Sequence, residues 1–169
     1  MRWHLPRFRR EGAARAAGGE TPFGRVHLLK PQTYMNRSGA ALSGLRATEP
    51  GQVITDLLVL VDDFAIPTGT FRLRPGGSAG GHNGLKSVEA ALGTQAYPRL
   101  RIGVGPAPEG TSHRDYVLEP METEERRAVE ELLPLMCEAV ECWMAEGIDK
   151  AMARFNRKAK PAEDDPEPS

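Results

Sequence analysis

A chain of 169 residues with 40% hydrophobic content, 14 Pro and 18 Gly suits one domain with long ordered loops, and no apolar run nears the ~20 residues that span a bilayer. The formal net charge of −1 hides a gradient: residues 1–30 carry +5, residues 31–108 carry +2 and residues 109–169 carry −8, so one face could hold phosphates, although ordinary surface charge gives the same totals. The arginine-rich front has no apolar block behind it, which excludes a secretory signal and leaves a transit peptide as the weighed alternative; Cys137 and Cys142 point apart at helical spacing, so neither a disulfide nor a metal pair is expected and the cytoplasm is the expected location.

In chain order, residues 1–22 show no clean period, and the glycine-rich run Gly18–Pro22 reads as a loop. Arg25–Leu29 reads as a short strand ending at Pro31, and Thr33–Leu45 as a loop opening a helix. The apolar run Leu57–Val61, bounded by Asp56 and Asp62, has the signature of a strand buried on both faces. Thr70–Leu73 is another short strand, Pro75–Gly84 a glycine-rich loop, and Leu85–Leu92 a helix closed by Gly93. Arg99–Val104 alternates, with Leu100, Ile102 and Val104 set against Arg99, Arg101 and Gly103. Glu124–Glu146 is an amphipathic helix with Thr123 as its expected cap, Gly147 as its stop and a kink expected at Pro134; a second helix, Ile148–Lys158, follows. Strands alternating with helices give the α/β class, a three-layer α/β/α sandwich around a mixed, mostly parallel sheet. The expected organisation is a single domain over 1–160 and a disordered acidic tail over 161–169.

Three segments carry chemistry. Lys30–Gly39 sets Tyr34 and Asn36 two apart in a loop; a carboxamide donates and accepts at once, which suits a peptide or ester group, while helix capping by Asn36 or Ser38 is the plainer reading. Leu60–Asp63 ends the apolar strand with two carboxylates; Asp62 could orient a histidine and stabilise its charged form, and Asp63 suits a turn cap. Pro75–Gly84 runs into a helix whose N-terminus can face an anion, with His82 and Asn83 projecting from its end; no Gly-Lys-Ser/Thr follows, so it is no Walker loop.

Together and in this order the segments resemble the bacterial peptidyl-tRNA hydrolase family. Lys30–Gly39 is similar to its Lys-Pro-x-Thr-Tyr/Phe-Met-Asn-x-Ser-Gly, Arg72–Ser87 to its Gly-Gly-His-Asn-Gly stretch, Arg99–Gly105 to Arg-x-Arg-Ile-Gly-x-Gly, Asp115–Leu118 to Asp-Tyr-Val-Leu and Ala151–Lys158 to its terminal Ala-Met-x-x-Phe-Asn. The resemblance implies hydrolysis of the ester between a peptide and the 3′ ribose of tRNA, without metal or other cofactor, by a monomer whose partner is peptidyl-tRNA. It implies that Asp62 orients and charge-stabilises a histidine base, that Asn36 and Asn83 hold the substrate with Tyr34 and His82 at the cleft, and that Arg74 and Arg101 meet tRNA phosphates. Arg72, Lys86 and Arg99 are expected to add to RNA binding. The family also opens with a strand, a Gly-Leu-Gly-Asn-Pro-Gly run and an Arg-His-Asn motif that carries the base; nothing here matches them, and His4, His27, His82 and His113 do not replace that histidine. The expectation is therefore a sequence lacking the family's first strand and base through a start codon placed too late, with weak hydrolysis by the chain as given; a non-catalytic RNA-binding relative is the alternative.

Overall fold

The computed structural model of the chain describes residues 3–42, 53–106, 110, 116 and 118–156. Residues 43–45 of the expected first helix, His113, Asp115, Val117, the end of the last helix beyond Asn156 and the acidic tail lie outside the described residues. The fold is α/β, and its contacts divide it into two units, Met1–Leu57 with Gly76–Tyr97 and Leu58–Pro75 with Pro98–Ser169.

The first unit holds an antiparallel sheet of β1 (Arg9–Glu11), β2 (Ala14–Thr21) and β3 (Gly24–Pro31), in that order, followed by a 3-10 helix over Met35–Leu42 and by α1 (Asn83–Leu92). Gly18–Thr21 is strand, not the expected loop: Gly18 pairs with His27 and Thr21 with Gly24, which shrinks the turn to Pro22 and Phe23. Cross-strand pairing overrides the poor strand preference of glycine here. A Cβ on Gly18 would lie 2.9 Å from the Val26 carbonyl oxygen, so the glycine also admits a close approach of β3.

The second unit holds a mixed sheet in the order β4 (Val59–Pro67), β6 (Arg99–Gly105) and β5 (Phe71–Arg74), with β4 parallel and β5 antiparallel to the central strand. Among the described pairings, β4–β6 is the parallel one. β4 begins two residues later than the Leu57–Val61 run and continues to Pro67, because β6 pairs with it as far as Gly105. It is an edge strand of this sheet, so Leu60 is 56% exposed instead of buried. The sheet's apolar face, with Phe71, Leu73 and Leu100, packs on Met136, Ala139 and Cys142 of α2 (Thr123–Glu146) and on Ala151 and Phe155 of α3 (Ile148–Phe155). Glu122, not Thr123, is the cap of α2: its N–H donates to the Glu125 carboxylate one turn on, at 3.2 Å. The helix continues through Pro134, and Gly147 stops it as expected. Both cysteines are free. Among the described residues no helix is long and apolar enough to cross a membrane.

Candidate active site and RNA-binding face

Four of the expected site residues belong to the first unit. The 3-10 helix that carries Asn36 lies against α1, whose N-terminus carries His82 and Asn83. Two glycines permit the contact. The Gly39 N–H donates to Ser87 Oγ at 3.0 Å, and a Cβ on Gly39 would run into the Ser87 carbonyl. A Cβ on Gly84 would lie 2.5 Å from Met35 Sδ and 2.9 Å from the His82 ring. The Tyr-Met-Asn and Gly-His-Asn-Gly segments, nearly fifty residues apart in sequence, therefore form one packed element.

Within that element the side chains divide by role. His82 is the N-cap of α1: its Nδ1 accepts the Leu85 N–H at 3.2 Å, which places the proton of a neutral imidazole on Nε2. Asn36 and Asn83 are exposed, and their carboxamides have no hydrogen bond among the described residues. The capping role considered for Asn36 or Ser38 is thus not taken by Asn36; Ser38 Oγ donates to the Met35 carbonyl at 2.8 Å. Tyr34 is 83% exposed and lines an open cleft of about 640 Å³ with Gln32, Thr33, Arg37 and Ala40. A neighbouring cleft of about 670 Å³ shares Gln32 and Thr33 and adds Arg10 and Arg15. Sequence reasoning passed over Arg37, Arg10 and Arg15; the signal was the lone arginine between Asn36 and Ser38 in the first motif.

Asp62, Arg74 and Arg101 belong to the second unit. Asp62 pairs with Ile102 in the middle of β4, not at a strand end. Alternation along the strands puts Asp62 on the face of Leu100 and Ile102, while Arg101 shares the opposite face with its cross-strand partners Val61 and Arg72. Arg74 and Arg99, directly opposed, lie on that same face. One side of a three-stranded sheet so carries Arg72, Arg74, Arg99 and Arg101. Arg99 is only 2% exposed, because β6 is the central strand; it is a core side chain and not the added RNA contact expected of it. Arg72 is half-buried and Arg74 exposed. Arg101 meets the buried carboxylate of Asp63 in an ion pair, so its guanidinium is already engaged at one nitrogen. Asp63 does not cap a turn: β4 runs on to Pro67, and Asp63 Oδ1 accepts the Ala65 N–H at 2.9 Å within the strand, where its register shifts.

A family model described as Peptidyl-tRNA hydrolase matches residues 2–163. A peptidyl-tRNA hydrolase of Gemmatimonas aurantiaca is 45% identical over 159 residues, covering 92% of this chain and 84% of the relative; that of Rubrobacter xylanophilus is 44% identical, covering 94% and 86%. A crystal structure of a peptidyl-tRNA hydrolase in complex with N-propanol superposes with a TM-score of 0.76 at 25% identity, covering 94% of this chain and 80% of that one. The enzyme of Acinetobacter baumannii superposes with a TM-score of 0.73 at 25% identity, over 88% and 76%.

Proposed function

We propose, from the premise that this chain belongs to the peptidyl-tRNA hydrolase family, that its substrate is peptidyl-tRNA and its reaction the hydrolysis of the ester joining peptide to the 3′ ribose. The observation that carries this reading is the packed element of the first unit, where the 3-10 helix bearing Asn36 lies on the helix bearing Asn83. Two exposed carboxamides on adjoining segments can hold an ester and its neighbouring amide by donating and accepting together. Tyr34 offers a stacking surface for a base beside them, and Arg37, Arg15 and Arg10 offer charge to the backbone of a single strand.

Asp62 is assigned the orientation and charge stabilisation of a histidine base, and Arg74 and Arg101 the tRNA phosphates. Two of the described histidines have other contacts. His82 Nδ1 is held in the cap, His27 Nε2 lies 3.3 Å from Glu11 Oε1 in the hairpin, and His4 is exposed in the N-terminal segment. None of His4, His27 and His82, the described histidines, is assigned as the base; a positioned base is worth about 10²–10⁴ in rate, so slow turnover beside good substrate binding is the expected behaviour. The reading includes a monomer acting in the cytoplasm.

Release of peptide from an N-blocked aminoacyl-tRNA tests it. Slow release that falls further on Asp62→Ala supports the reading. Rapid release unaffected by Asp62→Ala removes Asp62 from the mechanism. Tight tRNA binding with no release above background favours a non-catalytic binding protein.

A further inference from the structure

A carboxylate beside the second unit's arginine ladder has no part in the chemistry proposed so far. Arg72 and Arg101 are direct cross-strand partners, as are Arg74 and Arg99. Like charges placed opposite one another across an antiparallel pair repel, and Arg72 and Arg74 have no ion-pair partner among the described residues. On this face Asp63 is the acidic residue in register, two places along β4 from the partner of Arg101.

Asp63 is fixed from two sides. Its Oδ1 takes the Ala65 N–H, where the register of β4 shifts after Asp63, and its Oδ2 meets an Arg101 terminal nitrogen. The carboxylate is 7% exposed, whereas the Arg101 side chain is 35% exposed. A guanidinium has five donors in a rigid plane. An ion pair at one nitrogen leaves the remaining donors for another partner.

We propose that Asp63 is the positioning residue for Arg101: it draws the guanidinium away from Arg72 and fixes it for a phosphate of the bound RNA. This rests on the reading of Arg101 as a phosphate contact. Two effects of the Asp63 charge oppose each other. Its negative charge repels a phosphate, but Arg101 neutralises it at contact distance. Removing it frees a long side chain, whose ordering entropy must then be supplied on binding. The second effect is the larger, because the carboxylate is 7% exposed and lies behind the guanidinium that covers it, whereas the Arg101 side chain is 35% exposed.

The experiment is tRNA binding by the full chain across a salt series, for wild type, Asp63→Asn, Arg101→Ala and the double variant. Asparagine keeps the shape and the oxygen that accepts from Ala65 while removing the charge. Asp63→Asn should weaken binding about five- to tenfold and lower the slope of log K against log salt by about 0.7–0.9, the signature of one lost phosphate contact. Arg101→Ala should do the same, and the double variant no more than either, since both remove a single interaction. A merely structural Asp63 would lower the melting temperature and leave the salt slope alone; that result, or tighter binding by Asp63→Asn, overturns the proposal. If Arg101→Ala keeps the full slope, the reading of Arg101 as a phosphate contact fails and takes this inference with it. If Arg101→Ala loses one contact and Asp63→Asn loses none, only the inference about Asp63 fails.

Discussion

The Asn156 carboxamide pairs with both backbone groups of Leu73: its Oδ1 accepts the Leu73 N–H at 2.8 Å, and its Nδ2 donates to the Leu73 carbonyl at 3.1 Å. β5 is an edge of its sheet, and Leu73 turns these two groups away from β6. The side chain at the end of α3 therefore acts as one residue of an additional strand, which satisfies and blunts that edge. The Phe-Asn at the end of the terminal motif gains a physical reason: Phe155 enters the core beside Leu73 while Asn156 binds its backbone.

Asn156→Ala should accordingly cost about 1–3 kcal/mol for each Leu73 group left without a partner. Asn156→Asp should also destabilise, since a carboxylate cannot donate to the Leu73 carbonyl. Urea denaturation of the three proteins measures both. Equal midpoints would show that water replaces the carboxamide without loss.

The contact between the 3-10 helix and α1 should be sensitive to a single methyl group. Gly39→Ala places a Cβ against the Ser87 carbonyl, which is helix backbone and cannot yield, so a loss of about 1–3 kcal/mol is expected from overpacking. Ser87→Ala removes the hydroxyl that accepts the Gly39 N–H and should cost about 1 kcal/mol. Thermal unfolding should rank Gly39→Ala below Ser87→Ala, and both below wild type. The reverse order would mean that the hydrogen bond, not the close approach, holds the two segments together.

These contacts show which levels of structure were legible in the sequence. The helix of α1, its glycine stop, the strand at β3 and the long amphipathic helix followed from periodicity and punctuation, which are local. The motifs pointed to Asn36, Asn83 and Asp62, but not to the reason Gly39 and Ser87 recur within them, which is a contact between segments 48 residues apart. The misreadings all concern strands. Gly18–Thr21 looked like a loop because glycine is a poor strand former, yet its partner strand lies next in the chain. Arg99 was expected to add to RNA binding, yet β6 is central and its arginine is covered. Leu60 looked buried for the opposite reason, since nothing in a run of apolar residues reveals which strand lies at an edge. Sheet order decides the last two outcomes, and sheet order is not a local property.

Tyr116 should make the fold lose stability at alkaline pH. Its hydroxyl lies 2.9 Å from the Val104 carbonyl and 3.1 Å from Glu125 Oε1. Burial, then the hydrogen bond to Glu125 and the negative charge of that residue, push the phenol above its ordinary value of 10.0. The fold thus keeps the proton after the unfolded chain has released it. The resulting stability is complete below the unfolded value near 10 and is lost as pH climbs through the higher folded value. Tyr116→Phe should be less stable at neutral pH, through loss of the bond to β6, but its urea midpoint should fall less steeply than that of wild type between about pH 9 and pH 11. Parallel slopes would mean that the phenol is not protected.

The four arginines on one sheet face should separate into two classes when tRNA binding is measured. Arg72 and Arg74 are accessible, so each can release counterions on meeting a phosphate; their joint replacement by alanine should lower the salt slope by about 1.5 and weaken binding at low salt more than at high salt. Arg99 shares their face and opposes Arg74, yet it is covered, so its role lies inside the fold. Arg99→Ala should leave the salt slope of the folded protein unchanged and lower its unfolding free energy by about 2–5 kcal/mol, the range for truncating a large buried side chain. Both quantities can be measured on the same preparations, by titration with tRNA at several salt concentrations and by urea denaturation without tRNA. The arrangement predicts a crossed pattern: binding lost without stability for the accessible pair, stability lost without salt slope for the covered residue. A folded Arg99→Ala protein with a reduced salt slope would show that the sheet opens enough for RNA to reach its central strand, and the division of this face into packing and binding halves would then be wrong.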